Sequence, residues 1–113
     1  MKDIRITFSE EATLAFNHIA KKALMSKNER IMSKAILQKI EWIKADPRYG
    51  QPIAKKLIPK EYILKYGAQN LYRVELPDFW RMLYTLRDNQ VEIIAFVLDI
   101  IDHKGYDKKF RYI

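Results

Sequence analysis

The chain has 113 residues, 49% hydrophobic and 31% charged, which suits one compact core and is too apolar for a disordered segment. It carries 21 Lys and Arg against 14 Asp and Glu, a formal net charge of +7, and no cysteine. This excludes disulfides, thiolate nucleophiles and Cys-based zinc sites, and it directs attention to a polyanion or an acidic protein, because each neutralised phosphate releases condensed counterions.

Positive charge is spread through the chain, net +3 over residues 1–46 and +4 over 47–113, so no part is a separate basic tail. Met1-Lys2-Asp3-Ile4-Arg5 places charges where a signal peptide would be apolar, and the longest apolar run is too short to span a bilayer. The expectation is a cytoplasmic protein of one domain, residues 1–113, with no membrane partner.

Ile4, Ile6 and Phe8 alternate with Arg5 and Thr7, the period of a half-buried strand. Ser9 then caps a helix whose first turn holds Glu10 and Glu11, where the helix dipole favours anions. Its apolar stripe is Ala12, Phe16, Ile19, Ala20, Ala23 and Leu24. Ser26 and Glu29 have the spacing of a capping box for a second helix, with Met32, Ala35, Ile36, Ile40 and Ile43 on one side and Pro47 ending it. Two such helices with a short connection pack as an antiparallel hairpin.

Residues 47–70 are punctuated by Pro47, Gly50, Pro52, Pro59 and Gly67. Pro59 can open a short helix that Gly67 closes, and the remainder reads as surface loop. From Leu71 the period is two: Tyr72, Val74 and Leu76 alternate with Arg73 and Glu75, a turn follows at Pro77-Asp78, and Arg81 to Arg87 forms the next strand. Asp88-Asn89 is a hairpin turn, and Val91 to Ile100 is apolar and β-branched, as in a central strand covered on both faces. The predicted fold is α+β, in the order β-α-α-β-β-β, with the helical hairpin on one face of a small, mainly antiparallel twisted sheet and a short basic tail. The other face should be partly open.

A turn centred on Phe79 sets residue 73 opposite 85, so Arg73, Arg81 and Thr85 share one face while Tyr72, Val74, Met82 and Tyr84 share the other. If the apolar set lies under the helices, the arginines point to the open side. The alternative is an ordinary ion pair of Arg73 with Glu75 or Glu92. After the last strand come His103, Lys104 and Tyr106, a proton carrier near neutral pH, a cation and a phenol that can stack on a base or bond a phosphate. His18, the only other histidine, reads as a surface residue. Lys55, Lys56, Lys60 and Lys65 make the central loop basic, and Asp107-Lys108-Lys109-Phe110-Arg111-Tyr112 interleaves cations with aromatics, as single-stranded RNA binders do. No phosphate-cradling Gly-rich loop is present, and the two histidines lack metal-site spacing, so neither metal nor cofactor is expected. Trp42 and Trp80 read as core or core edge.

Tyr72-Arg73-Val74, then Asp78-Phe79-Trp80-Arg81-Met82-Leu83-Tyr84, then His103-Lys104-Gly105-Tyr106 resembles the RelE/ParE superfamily of toxins from bacterial and archaeal toxin–antitoxin pairs, over nearly the whole chain. The resemblance implies an mRNA endoribonuclease (an mRNA interferase) that works without metal on mRNA in the ribosomal A site and is silenced by a cognate antitoxin. Attack of a ribose 2′-hydroxyl on the adjacent phosphate needs a base, an acid and cations for the phosphorane charge. By position, Arg81 would stabilise the transition state with help from Arg73, His103 would act as acid or base, and Tyr106 would stack on or orient the substrate. Lys55 and Lys56 occupy the place of the family's loop lysines, and Lys65, Lys104, Lys108 and Lys109 extend the RNA-binding surface. Lys104 stands where several active members carry Arg. The superfamily also holds ParE-type gyrase poisons without the nuclease residues, and non-toxic RNA- or protein-binding domains are a further possibility for this fold.

Overall fold

A computed structural model describes residues 2–111. Strand β1 (Asp3–Phe8) leads into helix α1 (Glu10–Lys22), and α2 (Lys27–Ala45) follows after a tight connection. Strand β2 (Gln51–Pro52), a 3-10 turn (Lys55–Leu57) and α3 (Lys60–Tyr66) come next. Then β3 (Tyr72–Glu75), a second 3-10 turn (Pro77–Phe79), β4 (Arg81–Asp88), β5 (Glu92–Ile101) and α4 (His103–Lys109) complete the order. The five strands form one sheet in the order β1-β5-β4-β3-β2, with β1 parallel to β5 and the other pairings antiparallel. The α+β class and the helical hairpin on one face agree with the sequence reading.

The first core lies between that hairpin and the sheet. Ala12 and Ile19 of α1 and Met32, Ile36 and Ile43 of α2 meet Val74, Met82, Tyr84, Ala95, Val97 and Ile100, all buried. Ser9 accepts from the Ala12 amide at 3.0 Å and caps α1 as expected. Leu24 does not join the stripe: α1 ends at Lys22, so Leu24 falls in the connection and is exposed. Ser26 does not complete a capping box, because its hydroxyl bonds the Glu29 carboxylate and no side-chain cap reaches the backbone. That bond holds the Glu29 carboxyl below its usual range.

The opposite face is not open. Ile58, Tyr62, Ala68, Leu71, Leu83, Leu98, Tyr106 and Phe110 form a second buried core that seats α3 and α4 against it. The central stretch is therefore more than loop: β2 adds a strand beside β3, and the segment after it delivers Ile58 and Tyr62 inward. Pro59 and Gly67 do bound α3, Gly67 in the left-handed conformation at φ 64°. The basic tail is likewise a helix. Asp102 caps α4 by accepting from Gly105 N at 2.8 Å, and Phe110 is buried against Tyr106. Tyr112 lies outside the described residues.

The β3–β4 connection pairs Glu75 with Arg81 and Arg73 with Leu83, which centres the turn on Asp78 and not on Phe79. That moves the register by two residues, an even step, so side chains keep their faces. Between β4 and β5 the register shifts at Leu83/Tyr84, where β5 carries an extra residue. At this bulge Leu98 joins the second core, and Asp99 contacts Tyr62 of that core.

Candidate functional site: an arginine pair at the sheet face

Arg73 and Arg81 project from the face that carries the second core, at its edge. Both are partly shielded, with side chains 26% and 13% exposed. One carboxylate bridges them: Glu75 Oε1 lies 3.1 Å from Arg73 Nε and Oε2 lies 3.0 Å from Arg81 Nε. The Arg73–Glu75 ion pair weighed from the sequence is thus real, whereas Glu92 pairs with Arg5. The two guanidiniums share one carboxylate in a half-shielded place, where an anion gains more than in open water.

Further contacts fix the pair. Arg73 Nη1 donates to Tyr106 Oη at 2.8 Å, and Nη2 donates to Gln51 Oε1 at 2.5 Å. Arg81 lies over the Tyr106 ring, 4.9 Å from its centroid, and donates to the Phe79 carbonyl. Tyr106 itself is 8% exposed and stacked on Phe110 with centroids 4.3 Å apart. Its ring is packed in the core and its oxygen is engaged, so Tyr106 serves as a floor for the arginines, not as an exposed stacking surface. His103, the first residue of α4, is 58% exposed, and its Nε2 sits 3.2 Å from Asp107 Oδ2. The His103 ring lies 6.2 Å from that of Phe79, the residue whose carbonyl holds Arg81. The structure therefore brings Arg73, Arg81 and Tyr106 into contact and sets His103 one aromatic ring away.

The lysines divide. Lys55 and Lys56 are exposed in the 3-10 turn after β2, the strand next to Arg73. Lys104 and Lys108 are exposed on α4. Lys109 is drawn inward: it lies 2.8 Å from Glu61 and 3.4 Å from Asp99. Burial opposes its charge, but the bonds to those carboxylates prevail and keep its ammonium above the usual range. Lys65 is not at the arginine pair. It bonds Glu11, and its neighbour Tyr66 packs on Phe96, five residues along β5 from the Ile101 that faces Arg81. That is roughly 17 Å along the strand.

Sequence reasoning passed over Asp99, Tyr62 and Gln51 as parts of this arrangement. Tyr62 donates to the buried Asp99 at 2.6 Å, and burial beside that carboxylate pushes its phenol well up. Together with Lys109 and Glu61 this clasp ties α3 and α4 to β5. The available signal was a carboxylate inside the apolar run of β5, which is costly unless paired. Trp42 is exposed beside Tyr49 with Lys39 above it, and Trp80 packs at the edge of the first core. His18 is exposed, as read. Among the described residues no cluster of three His, Asp or Glu could hold a metal ion, and no helix is long and apolar enough to cross a membrane.

This architecture has a solved counterpart, a YoeB/ParE toxin from Agrobacterium tumefaciens, with a TM-score of 0.62, covering 88% of this chain and 98% of that one. The chain has the fold of a YoeB/ParE toxin. Identity to that toxin is 10%, so the likeness is one of fold. Neither a protein-family model nor a curated protein sequence matches the chain. The toxin fold agrees with the superfamily resemblance carried by the strand arginines and the His-Lys-Gly-Tyr stretch.

Proposed function

We propose that this protein is the toxin of a toxin–antitoxin pair and that it cleaves mRNA, bound on the ribosome, without a metal. The observation that carries the reading is the pairing of Arg73 and Arg81 over Tyr106, with His103 next to the Phe79 backbone that anchors Arg81. In this reading the scissile phosphate sits against the guanidiniums in place of, or alongside, Glu75. Their charge stabilises the phosphorane as the neighbouring 2′-hydroxyl attacks. His103 is the group able to move a proton, and its Nε2 lies 3.2 Å from Asp107 Oδ2. Lys55, Lys56, Lys104 and Lys108 hold flanking phosphates. An acidic cognate antitoxin masks the +7 surface in the cytoplasm.

One observation favours a second reading, a ParE-like toxin that binds gyrase without nuclease chemistry: Tyr106 is buried and both arginines are already engaged by Glu75. Induced expression with mapping of mRNA 5′ ends separates the two. New ends that vanish with Arg81→Ala and His103→Ala support the nuclease. Intact mRNA with DNA damage and gyrase co-purification supports the second reading. No growth defect at all removes both and leaves a binding domain of this fold.

A further inference from the structure

The turn before β4 contains two consecutive non-glycine residues in the left-handed region, Asp78 at φ 57° and Phe79 at φ 62°. L-residues with a β-carbon are disfavoured there, Phe more than Asp, and Gly or Asn would hold the same turn with less strain. Phe79 adds a second cost, since its large apolar side chain is 72% exposed. Neither core claims it, because it packs in neither the hairpin side nor the α3–α4 side. Yet its surroundings are specific. Its carbonyl accepts from the Arg81 guanidinium and its ring stands 6.2 Å from that of His103, tilted at 60°. A strained, exposed aromatic beside an arginine pair and a histidine has the features of a ligand contact, not of a packing residue.

Resting on the nucleolytic reading above, we infer that Phe79 is the stacking surface for the nucleobase next to the phosphate held by Arg73 and Arg81. A single-stranded RNA needs a π-face near its bound phosphate, and Tyr106, packed in the core, cannot offer one. Phe79 can. The Arg81–carbonyl bond fixes the turn relative to the guanidinium, so base and phosphate are set by one rigid unit. Stacking is sequence-tolerant, so Phe79 should contribute affinity and base orientation and only weak base preference.

The test uses the full chain and fluorescein-labelled 2′-O-methyl hexaribonucleotides, which bind but lack the attacking hydroxyl, together with hexamers of the same backbone carrying abasic sites. Phe79→Gly and Phe79→Asn should weaken binding of the base-containing hexamers about fivefold to a hundredfold, the range expected for one lost stack. Phe79→Trp should restore it. Abasic hexamers should bind wild type and Phe79→Gly alike. Both variants should melt at or above the wild-type temperature, because they relieve the turn. Full-strength binding by Phe79→Gly, while Arg81→Ala loses it, overturns the stacking role and leaves the nuclease reading standing. A lower melting temperature with a parallel loss on abasic hexamers would make Phe79 a fold element and also overturn it. Failure of wild type to bind any hexamer overturns this inference, and intact mRNA in the expression experiment separately overturns the reading beneath it.

Discussion

The Arg73 guanidinium donates to the phenol oxygen of Tyr106 at 2.8 Å, joining the edge-side strand β3 to helix α4 across the end of the second core. The contact gives Tyr106 two separable tasks, filling core volume with its ring and orienting a cation with its oxygen. Tyr106→Phe keeps the first task and removes the second. It should fold with a stability change of about 1 kcal/mol and cut RNA roughly tenfold more slowly, with KM little changed. Tyr106→Ala should cost about 3–5 kcal/mol through the cavity it leaves. Urea unfolding and single-turnover cleavage check both; equal losses of stability in the two variants would contradict the division.

Glu75 places one carboxylate between the two guanidiniums. Glu75→Gln should tighten binding of a 2′-O-methyl oligonucleotide several-fold and steepen its salt dependence, because it removes a carboxylate that competes with phosphate for the guanidiniums. A titration series in rising salt reads both effects. Unchanged affinity and slope would mean that phosphate does not compete at Glu75.

Glu11 joins the start of α1 to the end of α3 through bonds from Lys65 and Tyr66. The Lys65 bond, then the Tyr66 bond, lowers its carboxyl from 4.5 to about 2. A carboxyl depressed by folding stabilises the fold above its unfolded value and loses that effect as pH falls through its folded value. The melting-temperature gap between wild type and Glu11→Gln should therefore be present at pH 6 and close between pH 4.5 and about 2. It should also shrink in high salt, since the carboxylate is exposed. A gap that is constant with pH would contradict the clasp.

Tyr84 sits fully buried under the helical hairpin, accepting from Gly50 N at 2.9 Å and donating to Pro47 O at 2.7 Å. Burial lifts its phenol to about 12. Tyr84→Phe leaves both backbone groups without this partner and should cost about 1–3 kcal/mol. Gly50→Ala should also destabilise, because a β-carbon there would lie 2.9 Å from the Tyr84 ring. Denaturant unfolding of each variant is the check.

Much of this was legible in the sequence where one period decides. Alternation placed Tyr72, Val74, Met82 and Tyr84 under the helices and put Arg73 and Arg81 on the other face, even though the turn centre lay one residue away and the register therefore moved by two, because an even shift preserves the face. The second core was not legible. Its members Ile58, Tyr62, Leu71, Tyr106 and Phe110 come from short, irregularly spaced segments without a repeated period, so residues 53–70 read as one short helix within surface loop and α4 as a tail. Nor could spacing show that Lys65 is claimed by Glu11 or Lys109 by Glu61, since each of these contacts spans roughly half the chain.

The proposed role of Arg81, backed by Arg73, is to stabilise the transition state of RNA strand scission. Its most direct test is to add purified protein to programmed 70S ribosomes, follow mRNA cleavage with and without EDTA, and compare wild type with Arg81→Ala. The expected result is EDTA-resistant cutting within the A-site codon, leaving 2′,3′-cyclic phosphate ends, and a rate roughly a hundredfold lower for Arg81→Ala. Cutting by Arg81→Ala at the wild-type rate, or mRNA left whole by the wild type, would contradict it.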